Sequence, residues 1–198
     1  MKLDKSTLVF LSFCAAVVLS ATLINVTDIA ARKGFVPVEV KETISAPAEK
    51  DPWEMKMDVA RYIIKQNPHV AHDDALGYAV TIVDFSTELN LDWKVIAAII
   101  QTESNFREDS VGKGNPADRG AGQVNVKWWA KDLKAEGIIK HEKDLHRIDT
   151  GTRAACFVFK KMLDREGGDY YRAIKAYKGN DSSEYLMKVV ETVNRYQG

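Results

Sequence analysis

Asp92–Ser110, DWKVIAAIIQTESNFREDS, is the stretch from which the rest of the chain is best read. Trp93, Val95, Ile96, Ile99 and Ile100 recur at helical spacing. Glu103 falls on the face of Ile96, Ile99 and Ile100, at i+7, i+4 and i+3. Asp92 is positioned to cap the start of this helix and Asn105 to stop it. A carboxyl on an apolar stripe in the last turn meets two influences that favour its neutral form: removal from water and the negative end of the helix dipole. A carboxylic acid that keeps its proton near neutral pH is what general acid catalysis requires. The plain alternative is a glutamate at a fraying helix end with its head in water.

Outward from this helix the pattern is almost wholly helical from Pro52 on. Helices are predicted over Trp53–Gln66, Asp73–Leu89, Asp92–Ser104, Lys127–Glu136, Thr150–Glu166, Tyr170–Lys178 and Ser183–Gln197. The second carries Ala75, Leu76, Ala79, Val80 and Val83 on one stripe; the fifth carries Ala155, Cys156, Phe159, Met162 and Leu163. Gly167-Gly168 and Gly179-Asn180 read as stops. No period-2 strand pattern and no repeat competes, so the fold class expected is all-α. One segment, Arg107 to Asn125, is irregular and long for a connection in a compact domain. It contains Gly112, Gly114, Gly120 and Gly122, and such loops are usually functional or disordered.

The 198 residues fit one domain of about 150 residues behind a leader. Lys plus Arg and Asp plus Glu both number 28, so nothing suggests electrostatic capture of nucleic acid. From Ser6 to Thr27 no charge interrupts a run containing LVFLSFCAAVVLSATLINV, which is long enough to span a bilayer. An uncleaved signal anchor is expected over residues 1–33, with residues 7–26 as the transmembrane helix; Val18-Leu19-Ser20 is a tolerable cleavage site for the competing reading. Residues 34–52 read as an extended linker, and 53–198 as the functional domain. Cys14 lies in the leader and Cys156 on a helix stripe, so neither a disulfide framework nor metal spacing is present.

Downstream of Glu103, ADRGAGQVNVKWW (117–129) brings together Asp118, Gln123, Asn125, Trp128 and Trp129, and AIKAYKGND (173–181) puts Tyr177 at a helix end. Singly these are weak signals. In order, Glu103-Ser104-x-Phe106, Gly120-x-x-Gln123 and Ala176-Tyr177 resemble the Glu-Ser, Gly-Leu-Met-Gln and Ala-Tyr-Asn motifs of soluble-lytic-transglycosylase-like, goose-lysozyme-related (SLT) domains. The run Asp118, Gly120, Gln123, Val124, Asn125, Trp128, Trp129, Gly137, Ile138 is similar to the specialised type found in secretion and conjugation machines or phage virions.

The resemblance implies a lysozyme-like helical domain that cleaves the β-1,4 bond between N-acetylmuramic acid and N-acetylglucosamine in peptidoglycan, forming a 1,6-anhydro end. Glu103 is then the single general acid and base, and the reaction needs neither cofactor nor metal. By the same resemblance, Tyr177 hydrogen-bonds Glu103 or the substrate amide, Gln123 and Asn125 line the sugar subsite, and Ser104 contacts substrate or fixes the loop. Trp128 and Trp129 either stack on sugar faces or pack on the helix. Ala121-Gly122 departs from the usual Leu-Met, thinning the cleft wall and loosening the loop, and Lys178 replaces the usual Asn. Asp118 is either a turn residue or a second catalytic carboxylate. In the second case a muramidase that hydrolyses the same bond becomes feasible; an inactive peptidoglycan-binding or assembly module is a third reading.

The partners implied are glycan strands, the membrane, and an envelope-spanning secretion, conjugation or phage-entry machine. The expected location is the inner membrane, single-pass, with the domain in the periplasm, or a virion membrane if phage-encoded. His69 and His72 before Asp73 and Asp74 read as a capped helix start rather than a metal site. His141 and His146 read as a solvated loop.

Overall fold

The computed structural model describes residues 51–179 and 182–196. The expected anchor, 1–33, and residues 34–50 of the expected linker lie outside the described residues. No described helix is long and apolar enough to cross a membrane. The seven predicted helices are present, as α1 Pro52–Gln66, α2 His72–Glu88, α3 Trp93–Ser104, α4 Val126–Ala135, α5 Ile148–Arg165, α6 Tyr170–Lys178 and α7 Ser183–Arg195. A short 3-10 turn, Glu142–His146, precedes α5, and two strands, β1 Asp118–Arg119 and β2 Val124–Asn125, pair antiparallel.

Helix starts follow local side-chain chemistry. Asp51 accepts the Trp53 N–H and Pro52 takes the first turn of α1. Asp92 and Asp169 cap α3 and α6 through their carboxylates. The expected cap by Asp73 is not found: α2 begins at His72 after Ala71, which makes no side-chain cap, and Asp73 and Asp74 sit in the first turn against the positive end of the dipole.

Central to the packing is α5, which meets α2, α3, α6, the 3-10 turn and β2, while α7 closes over α3 and α6. Val95 through Ile100 are all buried, so α3 is a core helix rather than one with a single apolar stripe. Burying each of Ile96, Ile99 and Ile100 contributes about 1.5–3 kcal/mol. Cys156 is buried and free, and burial pushes its thiol up to about 12.

The C-terminal end of α3 is fixed on several sides. Asn67, at the end of α1, exchanges amide hydrogen bonds with Gln101, at 2.7 and 3.0 Å. Gln101 also donates to Asn105 Oδ1 at 3.0 Å. Asn105 stops the helix in the left-handed region, φ 53°, and Phe106 follows at φ 57°. Two successive non-glycine residues there are uncommon. Burial of the Phe106 ring edge-on to Tyr78, with centroids 5.1 Å apart, holds the turn.

Candidate active site

A cleft of about 870 Å³ opens between the β1–β2 hairpin with α4 on one side and the ends of α5 and α6 on the other. Eight of the residues singled out in the sequence line it: Glu103, Asp118, Gln123, Asn125, Trp128, Trp129, Tyr177 and Lys178. They come from α3, the hairpin, α4 and α6, and are brought together by long-range packing alone. Ser104 does not line the cleft. Its hydroxyl donates to the Ile100 carbonyl and accepts the Arg107 N–H, each at 3.2 Å.

The Glu103 side chain is only 8% exposed, and Lys178 Nζ lies 3.4 Å from its Oε2. Burial pushes the Glu103 pKa above the usual carboxylate range. Lys178 opposes that shift, the nearby Tyr185 hydroxyl opposes it further, and the charge of Asp118 reinforces it. The Tyr185 hydroxyl is buried and forms no hydrogen bond of good geometry, although it is close enough to Glu103 to favour the carboxylate. The result is a sequestered carboxyl that holds its proton more tightly than an ordinary glutamate.

Tyr177 does not hydrogen-bond Glu103. Its hydroxyl donates to the Gly122 carbonyl at 2.7 Å, and burial raises its pKa well above the ordinary value, with the Glu103 charge adding to this. Gly122 itself is tightly placed. A Cβ there would stand 2.6 Å from the Ala155 Cβ and 3.0 Å from the Tyr177 hydroxyl, so the departure from Leu-Met brings the loop onto α5 and does not loosen it. Gly120, at φ 71°, is packed as closely on Leu145: a Cβ would lie 2.0 Å from its carbonyl oxygen.

The segment expected to be irregular is hydrogen-bonded along much of its length. Gly112 N–H donates to Asp118 O and Gly120 N–H to Ser110 O, both at 2.9 Å. Gln123, in the left-handed region at φ 48°, donates its amide to the Ser110 and Gly120 carbonyls at 3.2 and 2.9 Å. Asp118 Oδ1 accepts from Asn115 at 3.2 Å and from Asn125 at 2.6 Å. Asn125 Oδ1 caps α4 by accepting the Lys127 and Trp128 N–H groups. Both polar atoms of the Asn125 amide are therefore engaged in orienting the helix that carries the tryptophans. Trp128 is 79% exposed on the cleft wall, while Trp129 is partly buried and packed on the core.

Several cleft residues were not anticipated. Val158 and Met162 line it from α5, and Arg165, Glu166, Arg172 and Lys175 give its far end a charged rim. Tyr185 approaches Glu103 only because α7 packs on α3, and no local spacing signals that. Among the described residues no group of three or more His, Cys, Asp or Glu side chains is placed to hold a metal ion. Of the two histidines expected in a solvated loop, His141 is exposed at the start of the 3-10 turn, its backbone N–H donating to Asp144 Oδ2 at 2.8 Å, and His146 Nδ1 is 3.1 Å from the Glu108 carbonyl.

Comparison with known families matches residues 82–188, more than half of the chain, to the transglycosylase SLT domain. The matched span runs from α2 into α7 and includes every cleft residue named above. The mostly helical architecture is consistent with that family's lysozyme-like fold. Neither the curated proteins nor the solved structures contain a match to the chain.

Proposed function

The chain belongs to the transglycosylase SLT domain family, which supports a lytic transglycosylase acting on peptidoglycan glycan strands, and we propose that Glu103 alone serves as its general acid and base. The observation that carries this reading is the Glu103 carboxyl itself, withdrawn from water at the floor of a cleft large enough for sugars, with burial as the largest influence on its pKa.

In the proposed sequence Glu103 first gives its proton to the glycosidic oxygen between N-acetylmuramic acid and N-acetylglucosamine. The N-acetyl group of the substrate stabilises the positive charge developing at C1, so no protein nucleophile is needed. The Glu103 carboxylate then takes the proton of the sugar 6-hydroxyl. That oxygen attacks C1, closing the 1,6-anhydro ring and restoring the acid. No water enters the product. Trp128, exposed on the wall, offers an aromatic face to a sugar ring.

A hydrolytic muramidase is favoured by one observation: Asp118 lines the same cleft as Glu103. Against it, Asp118 Oδ1 already accepts two amide hydrogen bonds that hold the hairpin. Product masses separate the two readings. Transglycosylation yields anhydro ends, lighter by one water than the reducing ends of hydrolysis. Asp118→Asn should retain cleavage within about tenfold, because a general base or nucleophile contributes roughly 10²–10⁴. Reducing ends, lost in Asp118→Asn, would establish the hydrolase instead.

The proposal extends to location and partners. The uncharged run over residues 7–26 supports a single-pass anchor in the inner membrane with the catalytic domain in the periplasm. The run from Asp118 to Ile138 supports service to an envelope-spanning secretion, conjugation or phage-entry machine.

A further inference from the structure

Lys178 ends α6, and its ammonium occupies an unusual position for a neighbour of a proton donor. It lies 3.4 Å from Glu103 Oε2 on one side and 5.2 Å from the centre of the Tyr185 ring on the other. The Lys178 side chain is 42% exposed, so the cation reaches the buried carboxyl from the solvent side of the cleft, steadied by an aromatic face from α7. A cation at that separation favours the ionised carboxyl. For a group that only donates a proton, this would be a handicap. For one that donates and then accepts, the carboxylate is a state on the reaction path, and a fixed cation stabilises it while the sugar rearranges.

Resting on the reading of Glu103 as sole acid and base, we propose that Lys178 is a positioning residue that holds the Glu103 carboxylate between its two proton transfers and thereby sets the upper pH limit of cleavage.

The groups that face Glu103 make Lys178 the element to test. From α6 come Lys178 and Tyr177, with Arg172 and Lys175 lining the same cleft, from α7 Tyr185, and from the hairpin Asp118. At the end of α5, Arg165 and its C-cap residue Glu166 line the same cleft but pair with each other at 3.1 Å. From α2, the core receives the apolar Ala79, Ile82 and Val83 with the buried Tyr78. Burial holds the Tyr177 and Tyr185 phenols far above the neutral range, so neither changes charge there. Asp118, like burial, works against the Glu103 carboxylate. Taking away the Lys178 charge leaves those influences less opposed. The proton is then retained to higher pH, and cleavage, which begins from the protonated form, extends upward with it.

The experiment uses the full chain and its Lys178→Met and Lys178→Arg variants, with folding checked by circular dichroism. Two readouts are taken: the Glu103 carboxyl titration by carbon-13 NMR, and the pH profile of kcat/KM on peptidoglycan. In Lys178→Met both the titration and the alkaline limb should move up by about one pH unit, while Lys178→Arg stays close to the parent. A folded Lys178→Met protein in which neither moves, whatever its loss of rate, overturns the inference and leaves Lys178 a structural role. Glu103→Gln separates the two layers. Full activity there overturns the acid assignment and this inference with it. Loss of activity there, with an unmoved titration in Lys178→Met, overturns this inference alone.

Discussion

Glu103 is held in a place where its charge is costly, and that cost has a thermodynamic signature. Its folded-state pKa is raised, with burial as the largest cause. Stability from such a group is fully present below the unfolded pKa and is lost as pH rises through the folded one, because the unfolded chain ionises more readily. Glu103→Gln removes the penalty. Measured by thermal denaturation, the melting temperature of Glu103→Gln relative to the parent should therefore climb as the pH rises above the ordinary carboxylate range. A difference that is flat or falls over that rise would contradict the buried acid. Trp128 is the opposite case, a large apolar side chain left in solvent. Trp128→Ala should change stability by no more than about 0.5 kcal/mol, yet weaken binding to glycan strands by roughly tenfold. Sedimentation with insoluble peptidoglycan measures this, and unchanged binding would deny Trp128 a sugar contact.

Helices α1 to α7 were legible because each carries its own period and its own stops: Asp92 and Asn105 bound α3, and Gly179 ends α6 at φ 78°. The hairpin was not. Its strands are two residues each, too short to show alternation, and its order comes from Asp118, Asn125 and Gln123 bonding across the turn. Gly122 was misread for the same reason, since local sequence does not reveal that its Cα faces Ala155 of α5 and the Tyr177 hydroxyl of α6. Gly122→Ala should cost about 1–3 kcal/mol by overpacking and slow cleavage by displacing the Tyr177 hydroxyl from the Gly122 carbonyl. Gly114→Ala is the control: a Cβ there meets nothing within 4 Å, and stability should be unaltered. Equal effects at the two glycines in denaturant titrations would show that the loop does not bear on α5.

Across the described residues, α5 is a strut against which α2, α3 and α6 are set, and the cleft lies where α3, α5 and α6 meet the hairpin and α4. Glu103, Gln123 and Tyr177 could be picked out in order along the chain because each sits in a short motif of its own. Their common cleft, the Lys178 contact and the approach of Tyr185 could not, since they depend on which helices pack together across long stretches of chain. Tyr177 shows the limit clearly. Its membership of the site was readable, but its hydrogen-bond partner was not, because Gly122 reaches the hydroxyl only through the turn of the hairpin. The assembled cleft makes one demand above the others, that a single proton on Glu103 starts the reaction. Release of soluble fragments from purified peptidoglycan by Glu103→Gln, run beside the parent with sedimentation to follow binding, tests that demand. Release should fall by a factor on the order of 10²–10⁴ with binding retained; release at the parent's rate would show that Glu103 is not the proton donor.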